Sequence, residues 1–287
     1  MKNDVRRLIL YYVLAFVPPA VVSGVLMHFY GSAYWVDENT PGHILSLAGL
    51  CMMVPAAAHI LTRLITREGF SQKDMLLTMK LSGSKRYYAA ALLIPPLYCA
   101  VSVILGVMYK DGAAGFDING DTVFESTMLL LNGLALSVLF FMPAFGEEFG
   151  WRAYMMPKLE KLMPEPAALI VGGVLWGLWH APLTIAGHNF GIGYAGYPVT
   201  GILRMCLMCT VIGIFLTYLT KKTGSVMPAA FAHMANNNCS GWLLPLVGEG
   251  SDLTNITFFS FHIALTAAVA LVCILLHRRD RRAEATA

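Results

Sequence analysis

Three groups of polar and ionisable side chains stand out in a chain otherwise poor in charge. They are Gly146-Glu147-Glu148-Phe149-Gly150-Trp151-Arg152, Trp176-Gly177-Leu178-Trp179-His180 and His233-Met234-Ala235-Asn236-Asn237. Each lies in or beside an apolar run, where ionisable groups are costly and commonly mark function. On a helix, Glu148 and Arg152 are four residues apart and share a face, so carboxylate and guanidinium can pair. Glu147 then points about 100° away, towards the interior of a bundle. This divides the labour: Arg152 neutralises Glu148, and Glu147 is left for chemistry. His233 and Asn237 share one face, and Trp176 lies one turn before His180. A carboxylate and two imidazoles (Glu147, His180, His233) approaching from three helices can bind Zn²⁺ with a position open for water. The same set can act without metal, with Glu147 as general base and His and Asn groups holding an oxyanion. Both readings stay open.

Each cluster alone has a plainer explanation. A Glu–Arg pair can close a helix end, and membrane His and Asn side chains often do no more than bind neighbouring helices. The joint occurrence of all three favours function. The other histidines are read as structural: His28, His43 and His277 sit at span ends, His59 and His262 lack acidic neighbours in sequence, and His188 lies in an outer loop.

The elements that must position these groups follow from composition. The chain has 287 residues, 57% hydrophobic and 13% charged; soluble domains carry about 25% charged residues. An all-α polytopic membrane bundle forming one domain over 1–287 is expected. Eight apolar segments reach the roughly 20 residues a spanning helix needs: Leu8 to Tyr30, His43 to Ile65, Tyr87 to Tyr109, Thr127 to Phe145, Ala167 to Ala186, Val199 to Thr220, Val226 to Val247 and Ile256 to His277. Basic and non-basic connections alternate along the chain. Lys2, Arg6 and Arg7 precede the first span; Arg67, Lys73, Lys80, Lys85 and Arg86 follow the second. Lys158 and Lys161, Lys221 and Lys222, and Arg278 to Arg282 follow the fourth, sixth and eighth. The intervening loops carry Asp37, Glu38, Asp117, Glu249 and Asp252 and at most one base, Lys110. By the positive-inside rule both termini are expected in the cytoplasm, with a bacterial plasma membrane as the location. A net charge of +3 gives no argument for nucleic acid as a partner. Membrane lipid is the expected surrounding, and the oligomeric state has no signal in the sequence.

Three local expectations complete this reading. The segment Glu68 to Lys85 is either an amphipathic helix on the inner surface or an ordinary cytoplasmic loop with a short helix. Cys51, Cys99, Cys206, Cys209, Cys239 and Cys273 read as small buried thiols, the Cys206/Cys209 spacing included. Finally, Glu147 and His180 can meet only if the fourth span continues as helix through Trp151 to about Pro157, carrying Glu147 towards mid-membrane.

Glu147-Glu148-x-x-x-Arg152, an aromatic-x-x-x-His ending at His180, and His233-x-x-x-Asn237 together resemble the three-motif signature of the CPBP family. These membrane peptidases are similar to the type II CAAX prenyl endopeptidase and are grouped with bacteriocin-processing and immunity proteins. The resemblance covers a core over 127–247; position 176 is Trp where Phe is common. It implies an intramembrane endopeptidase acting on a membrane-associated peptide or protein. Glu147 would activate water, His180, His233 and Asn237 would complete the site, and Glu148 and Arg152 would support it. It leaves the metal undecided. A proton-coupled transporter and a catalytically idle immunity or scaffold protein are the rival expectations.

Overall fold

The computed structural model describes residues 2–79, 81–238, 241–249 and 255–286; Lys80, Cys239 and Asp252 lie outside them. The chain is helical, and among the described residues the only β-type pairing is an isolated bridge between Phe116 and Val247. The first helix, α1 (Lys2–Tyr30), shows why the bundle belongs in lipid. Val5, Ile9, Val13, Val17, Val21 and Val25 recur every fourth residue and are all exposed, while Leu8, Tyr11, Ala15 and Ser23 are buried. The outer face is the apolar one, which only a hydrocarbon surrounding makes favourable.

After α1 come α2 (Gly42–Gly49), a 3₁₀ turn (Leu50–Met53), α3 (Val54–Ile65) and α4 (Lys85–Asp111). The second half holds α5 (Gly120–Ala135), α6 (Ser137–Gly150), a π-helical turn (Trp151–Met155), α7 (Met156–Leu162) and α8 (Glu165–Trp179). The short α9 (Ala181–Ile185), α10 (Val199–Thr223), α11 (Met227–Asn238) and α12 (Asn255–Thr286) complete the chain.

Five of these helical stretches are long and apolar enough to cross a bilayer: Lys2–Tyr30, Gly42–Ile65, Lys85–Gly115, Val199–Thr223 and Ile256–Glu284. A sixth is reached if Gly120–Ala135 and Leu139–Leu162, bent by 60°, count as one span. Eight full spans are therefore not confirmed by length and composition among the described residues. The differences fall at the motif-bearing segments. The expected fourth span breaks near Leu136, the fifth is a 15-residue helix, and the seventh is the 12-residue α11. At 1.5 Å per residue the last two reach only about 18–23 Å, short of a hydrocarbon core of about 30 Å.

The predicted continuation past Trp151 is present: helix runs unbroken from α6 through the π turn to Leu162. The proposed amphipathic helix over Glu68 to Lys85 is not. Its described part is irregular, and Met75, Leu76 and Leu77 tuck against Ala56, Phe149, Ala153 and Val226. The Val226 amide donates to the Leu76 carbonyl at 2.9 Å. The apolar residues that suggested a membrane-facing stripe are used inwards.

Two pairs of glycines let the central helices touch. A β-carbon on Gly173 or Gly177 would lie 2.3 Å from the backbone of Thr210 or Cys206, so α8 and α10 meet backbone to backbone. Gly146 and Gly150, flanking the two glutamates, do the same for α6 against Met52, Met53 and Pro55. Small residues four apart permit such approach in membranes. The basic segments also gather at one end of the bundle. Glu68 bonds Lys158 and faces Arg7 at 3.5 Å; Lys221 bridges Glu160 and Glu165; Lys222 meets Asp280 at 2.5 Å. Segments assigned to one membrane side by their charge are thus joined to one another.

Candidate active site

The site rests on an antiparallel hairpin. Helix α6–α7 turns at Met163–Pro164 into α8, with Glu147 fifteen residues before Leu162 and His180 fifteen after Glu165. Both are therefore about 22 Å from the turn and come to the same level. The third contributor, His233, comes from α11, which packs beside α6.

Glu147 and Glu148 are buried, at 1% and 0% exposure. Burying two adjacent carboxyls demands partners, and each has a different one. The Trp176 indole N–H donates to Glu147 Oε2 at 2.6 Å. Glu148 Oε1 lies 2.8 Å from His233 Nδ1, and its Oε2 lies 3.2 Å from Arg152 Nε. The Arg152 contact is an ion pair without hydrogen-bond alignment, since neither of those two atoms has an aligned partner. The guanidinium also stacks on Trp176, 4.1 Å from the ring centroid. It fits because position 213 is glycine: a β-carbon there would sit 3.1 Å from Arg152 Nη2.

His180 ends α8, where the last carbonyls lack helical partners. Its Nδ1 lies 2.9 Å from the Trp176 carbonyl. A carbonyl only accepts, so Nδ1 carries the proton and Nε2 keeps its lone pair in the neutral ring. With Glu148 as a carboxylate, His233 is held in the same way. Trp176 thus serves four groups: its ring nitrogen binds Glu147, its carbonyl binds His180, its face carries Arg152, and its ring meets His233 edge-on at 5.5 Å.

Glu147, His180, His233 and Asn237 line one cavity of about 430 Å³. Glu148 and Arg152 lie behind it. Asn237 is exposed, with its Oδ1 3.2 Å from Asn236 Nδ2, and Asn236 in turn accepts from the Tyr98 hydroxyl at 2.6 Å. As a donor set, Glu147, His180 and His233 fit zinc in kind, because each imidazole has Nδ1 held by an acceptor, as zinc-binding histidines usually do. Their donor atoms are not drawn into a metal-ready cluster among the described residues.

Sequence reasoning missed three things here. The Trp176 donor to Glu147 was hidden because an indole N–H direction depends on tertiary packing. His188 and His262, set aside as structural, also line the cavity. His59, by contrast, is structural as expected: its Nδ1 donates to the Phe149 carbonyl at 2.8 Å and its Nε2 accepts from Arg63 at 2.7 Å. The described cysteines are all free and buried.

Residues 129–239 match the family model for the type II CAAX prenyl endopeptidase, Rce1-like. That range contains every residue of the three motifs. CAAX prenyl protease 2 of Methanococcus maripaludis is 24% identical over 229 residues, covering 78% of this chain and 82% of that protein. Buried paired glutamates, two oriented imidazoles on one cavity and these matches agree with the motifs, and the protein is an integral membrane protein similar over residues 129–239 to CPBP-family peptidases of the Rce1-like kind.

Proposed function

We propose that the chain is an intramembrane endopeptidase in which Glu147 activates the attacking water. The observation that carries this reading is the convergence of Glu147, His180 and His233 on one largely buried cavity. Glu147 takes a proton from water as the oxygen attacks the scissile carbonyl, and returns it to the leaving amine as the C–N bond breaks. The oxyanion formed on the carbonyl accepts from the Asn237 amide, while an Nε2 lone pair of the neutral histidines accepts from the other O–H of the attacking water and holds it beside Glu147. His233 is held by Glu148, whose other oxygen faces Arg152. A Zn²⁺ held by Glu147, His180 and His233 would lower the pKa of the water and polarise the carbonyl. The core of this machinery is the segment 127–247, within the single domain 1–287. The substrate is a membrane-associated peptide or protein. The relative's name makes a prenylated CAAX peptide the first to try.

The test is cleavage by the purified protein in detergent, with no ion gradient, of a prenylated CAAX peptide and its unprenylated counterpart. Bound metal is measured on the same sample. Glu147→Gln keeps the shape and removes the base, so cleavage should fall by about 10²–10⁴-fold while the fold survives. Equal rates in parent and variant would remove Glu147 from the mechanism. A parent that cleaves no peptide, yet drives uptake in vesicles under a gradient, would make it a transporter.

A further inference from the structure

The cavity has a second polar pole that the proposed chemistry does not use. His262 lies on α12 with 3% of its surface exposed, and its ring lines the cavity that Glu147, His180 and His233 share. Neither Nδ1 nor Nε2 has a hydrogen-bond partner among the described residues. The ring is positioned by packing alone: edge-on to Tyr98 at 5.0 Å and beside Phe258 at 5.4 Å. The Tyr98 hydroxyl is directed at Asn236 instead.

A buried imidazole left without partners costs stability, and native proteins rarely leave such a group unsatisfied without reason. Packing would be served equally well by phenylalanine. Both nitrogens, on a wall of the cavity, are available to a molecule that enters it. A neutral imidazole presents one N–H and one lone pair. A peptide group presents one carbonyl and one N–H, so it satisfies both; a hydrocarbon chain satisfies neither, and a carboxylate only the donor.

We propose that His262 is a substrate-binding residue that hydrogen-bonds a peptide group of the substrate on the α12 wall of the cavity. This rests on the endopeptidase reading and adds where the peptide is held. Glu147 and its partners act on the scissile bond, and His262 fixes a neighbouring backbone unit.

The experiment uses the full chain in detergent and the prenylated CAAX peptide as probe. His262→Phe should raise KM about tenfold with kcat changed less than twofold, as loss of a ground-state contact does. Its melting temperature without peptide should equal or exceed the parent's, because an unpaired buried polar group has gone. His262→Gln, which restores a donor and an acceptor, should recover most of the KM. An unchanged KM in His262→Phe overturns the proposal while leaving the peptidase reading intact. So does a melting temperature that falls together with affinity and is not matched by rescue with Gln, since that marks a structural role. If the parent cleaves no peptide, the peptidase reading fails first, and the thermal shift on adding peptide decides His262. A shift in the parent that His262→Phe lacks supports the contact; equal shifts, or none, overturn it.

Discussion

At the scale of residues, the site is organised by tryptophan as much as by its charges. The Trp176 N–H is directed at Glu147 at 2.6 Å while its ring covers Arg152. Trp176→Phe keeps an aromatic face for the guanidinium and removes only the donor. Hydrogen bonds to charged groups contribute about 1.5–3 kcal/mol to stability, so the melting temperature should fall, and with Glu147 no longer held in place kcat should fall about tenfold or more. A Phe variant with the parent kcat would show that Glu147 needs no such donor. Glu148→Ala acts differently, because it unpairs both Arg152 and His233 at membrane depth. Breaking a buried ion pair from one side typically costs about 3–5 kcal/mol, so thermostability in detergent should drop along with activity. An inactive variant as stable as the parent would make Glu148 a catalytic group. The Glu148–Arg152 pairing was legible in the sequence, because spacing along one helix decides it. The Glu148–His233 bond was not, since it joins residues 85 positions apart and depends on how α11 lies against α6.

At the scale of elements, the sequence showed helices and their apolar character, and the continuation of α6 past Arg152 could be inferred from the need for Glu147 and His180 to meet. What hydropathy could not show was where apolar runs stop being one straight helix. The break near Leu136 and the ends of α8 and α11 divide runs that read as continuous. Hydropathy averages over such breaks, because a buried turn inside protein is as apolar as a span. Close helix contact has a similar standing: the Gly173/Gly177 spacing is visible in sequence, but its partner helix is not. That contact gives a sharp expectation. Gly177→Ala places a β-carbon 2.3 Å from the Cys206 backbone, where no flexible side chain can yield. Overpacking typically costs about 1–3 kcal/mol. The displacement of α8 carries His180 with it, so melting temperature and cleavage should fall together. Gly24→Ala, with nothing within 4 Å, is the control and should change neither. Parent-like behaviour of Gly177→Ala would mean that α8 and α10 lie further apart than described.

For the molecule as a whole, the question is which end faces which compartment. The bundle gathers its basic segments at one end through Glu68, Glu165 and Asp280, which hold Arg7, Lys158, Lys221, Lys222 and Arg281. Apart from the buried Lys158, these are exposed or partly exposed ion pairs, which contribute little to stability individually. Their value here is topological, because they join the N-terminus, the turn before α8, the end of α10 and the C-terminal helix into one face. Excess Lys and Arg on one face sets orientation during insertion, and on that ground we propose that this face is the cytoplasmic one. The opposite end carries the segment 186–198, which has no Lys or Arg. This orientation follows from charge and connectivity and not from the number of full crossings, so the shortness of α8 and α11 does not disturb it. A reporter fused after Arg282 should therefore read as cytoplasmic, and one inserted at Asn189 as external. Adding lysines to the 186–198 segment should weaken that bias before any other insertion does, because it is the base-free loop that leads into α10. If the two are reversed, the shared basic face is not the cytoplasmic one; if both fall on the same side, the 186–198 segment does not lie across the membrane from it. With the two reversed, the loops that carry Trp35 and Asn189, which help to line the cavity, would lie on the cytoplasmic side.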